Sequence, residues 1–402
     1  MKNDSIIKKY KNNKGFNEVF LKYSKYQKTI NSPIILKGIG IHNNNKVSIS
    51  ITPLYNKKGR YFNNDTRAFN IDNRNKKNQI MYKDLFRTIN KDYNTPLYSF
   101  HELESFLLIG NRGFKKDLIH YKNEIYKKNF KIFQDISYSS EYVNNDTENY
   151  INAQIENVLR KPVHHISLEN KKNQINGVEH LLSALESLSI DNVLISLNGG
   201  NEVPILDGSS LVWINELINA GTNTGQKDHY FNNNKKRRRK IKFYSNKSFS
   251  LYHNDSFISY HPSKFSKITV GLDYSDSAPL IGKQWFSYDI FNDNHYRWEI
   301  SPSRMYIPTI QCLYESMDSG YFKAGIEDCV NLCMFDKWHN SDQIRFYDTE
   351  SARHEILDLI GCLSLLSNNG NGGIPLGHII AYKPSLELNI RFVKLLKELI
   401  II

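Results

Sequence analysis

The sequence has little cysteine and no long hydrophobic segment. Four of its 402 residues are cysteines, and they form neither a C-x-x-C pair nor a regular framework. They are Cys312, Cys329, Cys333 and Cys362. This usage is typical of a reducing compartment and argues against a disulfide scaffold. No apolar run approaches the roughly 18 residues of a membrane-spanning helix. The sequence therefore predicts no transmembrane segment and leaves peripheral contact with a membrane open.

Acidic residues are fewer than basic ones. The chain has 41 acidic and 53 basic side chains, a net charge of +12, which suits an anionic partner. Residues 1–30 contain only two acids, Asp4 and Glu18, and lack the apolar core of a secretory signal. They fit a transit segment for an organelle (plastid or mitochondrion), which predicts an organellar location. They fit equally a plain disordered tail, which predicts a cytoplasmic location.

Two patterned regions are separated by a basic linker. Residues 31–220 and 241–402 each alternate strand and helix patterns, so they predict two α/β layers of similar make-up. Between them, 221–240 reads as a linker. Residues 55–165 are poorly patterned and show no sign of a site. We interpret most of them, about 65–160, as a long Asn/Lys-rich insertion that is partly disordered.

Six consecutive cations, Lys235–Lys240, end the linker. Such a run can contact nucleic acid or anionic lipid, or act as a localisation signal. It can equally be a solvated loop between domains. No aromatic residues that could stack on bases are interleaved in it, so a nucleic-acid partner is not predicted.

A stretch near the C-terminus, residues 353–362, carries a candidate metal site. Its apolar residues recur at helical spacing, which places His354 and Asp358 on one helix face, one turn apart. An imidazole and a carboxylate in this arrangement can bind one metal ion together. An isolated pair of this kind is also common on solvated helix surfaces. A third ligand from elsewhere in the chain is needed to favour the metal.

Glu179 and His180 supply what this helix lacks. They precede a helical apolar run, and His180 can be the third zinc ligand. Glu179 can take the proton from a zinc-bound water, as glutamates do in other zinc hydrolases. Two histidines and one aspartate leave a fourth position open for water, which is typical of a catalytic zinc.

Together these stretches resemble the UDP-3-O-acyl-N-acetylglucosamine deacetylase family, zinc enzymes of the committed step of lipid A synthesis. The matching segments occur in the family's order and cover most of residues 33–53 and 175–400. They are Gly38–His42, Val178–Leu181, Ile190–Val193, Val203–Ser209, Ser301–Arg304, Arg353–Gly361 and Ala381–Lys383.

The resemblance implies a two-domain α+β sandwich with the metal site between the domains. His180 would come from the first domain, His354 and Asp358 from the second, and Glu179 would be the general base. The implied reaction removes acetyl from a UDP-linked acylated glucosamine, a substrate that the positive charge suits. A monomer is expected.

The resemblance also points to substrate contacts. His42, Arg304 and Lys383 lie in matching segments, and we expect them to bind substrate. On the residues alone, His42 fits equally well as an exposed side chain of a hairpin at residues 33–53.

Several positions depart from the family pattern, among them Asn43-Asn44 after the first-motif histidine and Met305-Tyr306 after Arg304, and three further ones bear most on catalysis. Leu386 stands where the family has a histidine thought to donate a proton or stabilise the oxyanion, and Cys362 replaces that histidine's aspartate partner. Glu355 replaces a basic residue thought to meet the substrate phosphate. These changes predict a deacetylase with reduced or altered activity; the alternative is a zinc-binding pseudoenzyme or scaffold. His378 or His42 could stand in for the missing donor.

Overall fold

Short strands with alternating apolar residues form two five-stranded sheets in the computed structural model. In Lys46–Pro53, Val47, Ile49 and Ile51 are buried while Lys46 is exposed, because successive side chains of a strand point to opposite faces. The structure describes residues 26–54, 59–64, 149–159, 164–224, 240–290, 295–324, 326–339, 341 and 344–400.

In the first half of the chain, the described residues form one of these sheets, two short strand pairs and two α-helices. Its elements are β1 (Thr29–Ile30), β2 (Ile34–Ile39), β3 (Lys46–Pro53), β4 (Arg60–Asn64), β5 (Ile151–Asn152), β6 (Ser167–Glu169), β7 (Gln174–Asn176), α1 (Glu179–Ser187), β8 (Val193–Asn198), α2 (Leu211–Ala220) and β9 (Thr222–Asn223). The sheet has the strand order β2-β3-β8-β4-β5, and its neighbours are antiparallel except for the parallel pair β4 and β8. A 3-10 helix, Ile155–Asn157, follows β5.

The second half repeats this arrangement and adds a small three-stranded sheet. Its elements are β10 (Phe249–His253), β11 (Ser256–His261), β12 (Ser266–Asp273), β13 (Lys283–Asp289), β14 (Tyr306–Ile307), α3 (Ile310–Asp318), α4 (Ile326–Cys329), β15 (Asn331–Met334), β16 (Lys337–Trp338), α5 (Glu350–Leu363), β17 (Gly377–Tyr382) and α6 (Leu386–Leu399). The large sheet has the order β10-β11-β17-β12-β13, again with one parallel pair, β12 and β17. A π-helical turn, Tyr296–Ile300, and a 3-10 helix, Ser364–Leu366, complete this half.

Because the two large sheets share a strand order, α1 and α5 occupy equivalent positions. Helix α1 precedes β8 and helix α5 precedes β17, and these are the middle strands of the two sheets. These two helices pack against each other. Gly361 of α5 makes their approach possible, because a Cβ there would lie 2.4 Å from the carbonyl oxygen of Glu179. The N-terminus of α1 is thereby held beside α5.

One continuous core joins the two halves. Helix α5 contributes Ile356, Leu359, Ile360 and Leu363, all fully buried, and α1 contributes residues such as Leu182. The apolar spacing that predicted a helix at residues 353–362 is therefore the spacing of its core face. The predicted α+β class is confirmed; the domain limits 31–220 and 241–402 stay predictions.

The sequence and the structure differ at several elements. Strand β13 was not predicted. The sequence predicts a strand at Glu202–Leu206 that ends in a turn, but in the structure this segment makes only an isolated bridge at Glu202. Residues 149–159, at the end of the predicted insertion, are described and form β5 and a 3-10 helix, and the insertion limits stay a prediction. The sequence also favours helical fragments near 98–108 and 115–133; these, most of the remaining insertion and residues 1–25 lie outside the described residues.

The last cation of the basic run is structural rather than exposed. The Nζ of Lys240 lies 2.6 Å from Oδ1 of Asp191, and both side chains are buried. Residues 235–239 lie outside the described residues. Lys240 is therefore unavailable to a polyanion, which removes it from the candidate nucleic-acid or lipid surface. Within the described ranges, no helix combines the length and the apolar character needed to cross a membrane.

A second buried ion pair fixes the end of α1 to the first sheet. Arg60 of β4 donates from Nη2 to Oε2 of Glu186 at 2.7 Å and from Nε to the carbonyl of Ile190 at 2.8 Å. Although burial opposes the charge of Glu186, Arg60 and then Lys240 hold the pKa of its carboxyl below its usual value. The pair ties the helix that carries Glu179 to its sheet.

We expect Arg60→Ala to lower the free energy of unfolding by about 3–5 kcal/mol, because it leaves Glu186 buried without its closest counter-charge. Urea unfolding at neutral pH measures the change. Arg391→Ala, which removes an exposed arginine of α6, is the control and should stay within about 0.5 kcal/mol of the wild type. A similar loss in both variants would contradict a special role for the buried pair.

Candidate metal centre

Three predicted ligands converge where α1 meets α5. One nitrogen of His180, one of His354 and one oxygen of Asp358 lie within 4.8 Å of one another. The Nε2 of His180 is 3.4 Å from Oδ1 of Asp358, and the Nε2 of His354 is 3.6 Å from Oδ2. Ligands about 2.0–2.1 Å from a tetrahedral zinc lie roughly 3.3–3.5 Å apart, so these separations fit that metal.

Two of the three ligand groups carry a buried atom that the described residues leave without a hydrogen bond. These atoms are Nε2 of His354 and Oδ1 of Asp358. The other ring nitrogen of His354, Nδ1, lies 3.1 Å from the carbonyl of Ser303 and donates to it. The lone pair of a neutral His354 then lies on Nε2, which faces the cluster. Burial without a protein partner is costly, so the donor set fits a metal ion.

The electrostatics of the cluster also favour a cation. Although burial alone would raise it, the His354 and His180 imidazoles hold the pKa of Asp358 below its usual value. Asp358 therefore stays ionised, and although burial opposes it, the hydrogen bond and charge of Asp358 raise the pKa of His180. A metal cation would bind the carboxylate and take the place of the proton on the imidazole.

Glu179 lies at the first position of α1, next to His180. Its Oε2 accepts a hydrogen bond of 3.0 Å from the backbone N–H of Ile166, which fixes the carboxyl group. Burial, and then the charge of Asp358, raise the pKa of Glu179 to about 7. A fixed carboxyl group that titrates near neutrality is suited to general base catalysis.

A pocket adjoins this cluster and is bordered by a group of imidazoles. It is lined by Glu179, His180 and Glu202, and on another side by His42, His164 and His165. The rings of His42 and His165 are stacked, with centroids 4.7 Å apart and planes at 27°. His42 thus lines the pocket, where its expected contact with substrate stays a prediction, together with two histidines that were not predicted.

Sequence reasoning missed His164 and His165 because they lie in the poorly patterned stretch 55–165. The sequence offers one signal for them: two adjacent histidines lie shortly before the patterned stretch that begins at Ile175. In the structure, the segment that follows them is anchored to α1. The carbonyl of Ile166 accepts hydrogen bonds from the N–H groups of Gly177 and Val178.

Arg304 is held within the protein framework. It is 2% exposed; its Nε donates to the carbonyl of Asp207 at 3.0 Å, and its backbone N–H donates to Oε1 of Glu350. Glu350 begins α5, so these bonds position the helix that carries His354 and Asp358. The substrate contact expected of Arg304 stays a prediction.

Lys383 follows β17 and pairs with Asp255, with Nζ 2.6 Å from Oδ2. Asp255 is a surface residue of the turn between β10 and β11. No described contact joins Lys383 to the metal cluster, and its substrate contact also stays a prediction.

His378 does not join the cluster. On β17, Ile379 and Ala381 point into the core, so His378 and Tyr382 point to the other face of the sheet. There the Nε2 of His378 lies 2.8 Å from the hydroxyl of Thr269. The expectation that His378 replaces the missing proton donor is therefore corrected by strand alternation.

Two of the departures from the family pattern, Cys362 and Leu386, make apolar packing contacts. Cys362, one turn after Asp358, is fully buried, and burial raises the pKa of its thiol. Leu386 begins α6 and packs against the same core. Apolar side chains therefore stand at the two positions where the family resemblance implies a proton relay.

Glu355 lies beside the ligand His354 and makes a different contact. The hydroxyl of Tyr306 donates to its Oε1 at 2.8 Å, and the hydroxyl of Tyr274 lies 3.2 Å from that of Tyr306. Burial, and then Asp358, raise the pKa of Glu355 to about 8. Glu355 is therefore largely uncharged at neutral pH, so it neither repels nor attracts an anion strongly.

We expect acid to destabilise the protein through His42. Burial, and then His165 and His164, lower the pKa of His42 from 6.5 to about 3. The unfolded state therefore binds a proton below pH 6.5 that the folded state refuses until about pH 3. Stability falls across that window, by about 2 kcal/mol at pH 5 from this group alone. Urea unfolding at about pH 7.5 and about pH 5 measures it.

The matched variants are His42→Asn and His253→Asn, of which the second replaces an exposed imidazole on β10. His42→Asn should lose less stability between the two pH values than the wild type, and His253→Asn should behave as the wild type. An unchanged pH dependence in His42→Asn would contradict the prediction.

Known proteins match the region that forms this cluster. The family model described as LpxC: UDP-3-O-acyl N-acetylglycosamine deacetylase matches residues 136–398. A relative from Arabidopsis thaliana, named probable UDP-3-O-acyl-N-acetylglucosamine deacetylase 1, mitochondrial, is 35% identical over 250 residues. That alignment covers 60% of this chain and 73% of the relative.

Cyanobacterial proteins give the same result. The UDP-3-O-acyl-N-acetylglucosamine deacetylase of Trichormus variabilis is 31% identical over 219 residues, which cover 54% of this chain and 71% of the relative. The protein of the same name from Synechocystis sp. is 33% identical over 215 residues, 54% of this chain and 70% of the relative. The residues matched by the family model, 136–398, include both helices that carry the cluster.

Proposed function

Because the chain belongs to the UDP-3-O-acyl-N-acetylglucosamine deacetylase family, we propose that it is a zinc-dependent amidohydrolase that removes acetyl from UDP-3-O-acyl-N-acetylglucosamine. One observation carries the proposal: His180, His354 and Asp358 converge within 4.8 Å, beside Glu179. Relatives from plants and cyanobacteria that are named for this activity support the reaction class.

The chain's own residues perform three tasks in this reaction. His180, His354 and Asp358 would hold the metal, and Ser303 orients His354 through its carbonyl. Zinc bound there would activate water and polarise the acetamide carbonyl. Glu179, held by the N–H of Ile166, accepts the proton of the attacking water.

Protonation of the leaving amine is the step for which the family-type residues are absent, since Cys362 is buried and Leu386 is an apolar, half-buried side chain packed against the core. Glu179 is the candidate group for this second transfer, because a carboxyl with a pKa of about 7 can both accept and return a proton. Loss of the family-type acid is expected to lower the rate by about 10²–10⁴-fold relative to an enzyme that has it. The names of the relatives do not favour the alternative, a pseudoenzyme or scaffold.

We also propose an organellar location. The Arabidopsis relatives are named mitochondrial, and residues 1–30 of this chain have a basic, acid-poor composition. A fluorescent protein fused behind residues 1–30 tests the proposal in a eukaryotic cell. Import into an organelle supports it, and diffuse cytosolic fluorescence contradicts it.

Acetate release from UDP-3-O-acyl-N-acetylglucosamine tests the proposed reaction. The assay compares zinc-loaded protein with protein treated with a chelator, and mass spectrometry identifies the free amine of the product. Turnover that depends on zinc supports the proposal. A zinc-loaded protein that releases no acetate from this substrate contradicts it.

A further inference from the structure

We propose that the outer face of the second large sheet binds an extended, uncharged oligosaccharide chain along a row of aromatic side chains. This aromatic row consists of Tyr252, Phe257, Tyr382 and Trp285, which lie on β10, β11, β17 and β13. None of the four lines the pocket beside Glu179, so the surface is separate from the candidate metal centre.

Strand register places the four side chains side by side. Tyr252 pairs with Phe257 across β10 and β11, and Phe257 pairs with Tyr382 across β11 and β17. On the next strand, Gly271 of β12 pairs with both Tyr382 and Trp285. Residues at paired positions point to the same face of a sheet, so the aromatic row runs across the whole width of the sheet.

Gly271 leaves the space that makes the aromatic row continuous. A Cβ at Gly271 would lie 2.6 Å from the indole of Trp285, so the indole lies over the glycine. The indole reaches Tyr382 across β12, with ring centroids 5.6 Å apart and planes at 17°. The other neighbouring rings have centroids 6.0 and 6.2 Å apart. Rings at these separations are offset, so part of each ring face stays open.

The aromatic row faces away from the core. The residues next to it along the strands, such as Ile258 and Ala381, are fully buried in the core that α5 and α6 share. By contrast, Tyr252 is 69% exposed and Trp285 is 54% exposed. Contiguous exposed aromatic side chains mark an interaction surface, whereas single ones are normal on any protein.

A line of mostly hydroxyl side chains runs beside the aromatic row. Ser250, Ser259, Thr269 and Ser287 lie two positions away along their strands, and Ile380 completes the line on β17. The face therefore presents aromatic rings and uncharged hydrogen-bonding groups side by side. A pyranose ring has the matching chemistry, because its C–H groups pack on an aromatic face while its hydroxyls form hydrogen bonds at the rim.

The charges that border these two lines favour an uncharged partner. Three ion pairs lie there, each between the Nζ of a lysine and an Oδ of an aspartate. They are Lys267–Asp289 at 3.7 Å, Lys283–Asp273 at 3.6 Å and Lys383–Asp255 at 2.6 Å. A nucleic acid or an anionic membrane binds through cations that are free to meet phosphate, whereas these lysines already face carboxylates. The aromatic row is also one residue wide between polar borders, and insertion into a bilayer needs a broader apolar face.

Calorimetric titration of the full chain with cellohexaose tests the proposal, because this glucose oligomer is extended and uncharged. The wild type should bind cellohexaose about 10-fold or more tightly than cellobiose, which contacts fewer rings. Trp285→Ala should lower the affinity for cellohexaose by about 10-fold, as expected for the loss of one aromatic contact. Trp298→Ala removes an indole that is 62% exposed on the π-helical turn; this matched control should bind as the wild type does.

Gly271→Ala keeps all four aromatic side chains and displaces only the indole. The new methyl group meets the far end of an exposed side chain, so the fold tolerates it while Trp285 moves off Tyr382. The affinity for cellohexaose should fall about as far as in Trp285→Ala. Thermal unfolding checks that each variant is folded; if Gly271→Ala is not, Tyr252→Ala at the exposed end of the aromatic row carries the comparison.

The proposal is overturned if cellohexaose does not bind, if Trp285→Ala keeps the affinity of the wild type, or if UDP-N-acetylglucosamine displaces the oligomer. Sedimentation and binding to polyuridine or phosphatidylcholine vesicles complete the test. If one of these shows an association that Trp285→Ala abolishes while cellohexaose gives none, the aromatic row belongs to a second copy, a nucleic acid or a lipid surface, and the proposal is wrong.

Discussion

His354→Ala is expected to abolish both zinc retention and acetate release. The variant removes one of three converging ligands and also leaves the carbonyl of Ser303 without its imidazole donor. Two remaining ligands cannot hold a catalytic zinc against dilution, because such sites need three protein ligands. The rate should fall by more than the roughly 10²–10⁴-fold caused by losing one acid–base group.

Zinc per chain, measured by inductively coupled plasma mass spectrometry after dialysis, and acetate release are the two readouts. His253→Ala, which removes an exposed imidazole from β10, should keep the zinc content and activity of the wild type. If His354→Ala retained stoichiometric zinc, the metal would have to lie elsewhere, and the assigned ligand set would be wrong.

Glu179→Gln is expected to lower kcat by about 10²–10⁴-fold while zinc content is unchanged. The amide oxygen of glutamine can still accept the hydrogen bond from Ile166, so the loop keeps its anchor. The amide cannot accept a proton from water, and it cannot return one to the leaving amine. Both transfers assigned to Glu179 are lost together.

The comparison with Glu179→Ala separates chemistry from structure. Alanine should lose stability as well as activity, because the N–H of Ile166 is left without its acceptor. Single-turnover measurements under saturating substrate report the chemical step. If Glu179→Gln kept a kcat within about threefold of the wild type, Glu179 would not be the base, and another group would have to serve.

Much of the candidate metal site could be predicted, because the sequence signals for its residues are local. His354 and Asp358 share a helix face through a four-residue spacing, and the apolar face of that helix is equally plain in the sequence. Glu179 and His180 are adjacent and precede an apolar helical run. Only the meeting of α1 with α5 depends on the tertiary structure, and Gly361 is the residue that permits it.

The surroundings of the cluster could not be predicted because they depend on long-range pairing. Strand β4 pairs with β5, although 86 residues separate Asn64 from Ile151 in the chain numbering, of which 65–148 lie outside the described residues. His164 and His165 lie just before β6, and their place in the pocket follows from the backbone bonds of Ile166, which no periodicity in the sequence signals.

Strand β13 escaped prediction for another reason. Its buried side chains include Gln284, whose Oε1 accepts the N–H of Ala352 in α5, so polar residues occupy core positions. Hydrophobic alternation cannot identify such a strand. For His378 the error was one of direction: its nearness to Ala381 in sequence says nothing about its face until the register of β17 is known. The expected monomer stays a prediction that sedimentation can test.

Zinc removal and return, followed by acetate release, tests the central claim most directly. The claim is that one metal held by His180, His354 and Asp358 drives hydrolysis of the acetamide with Glu179 as base. We predict one zinc per chain in the purified protein, no acetate release after chelation, and recovery of the original rate when one equivalent of zinc is returned. A rate that is unaffected by chelation, or zinc-loaded protein that never releases acetate, would contradict the claim.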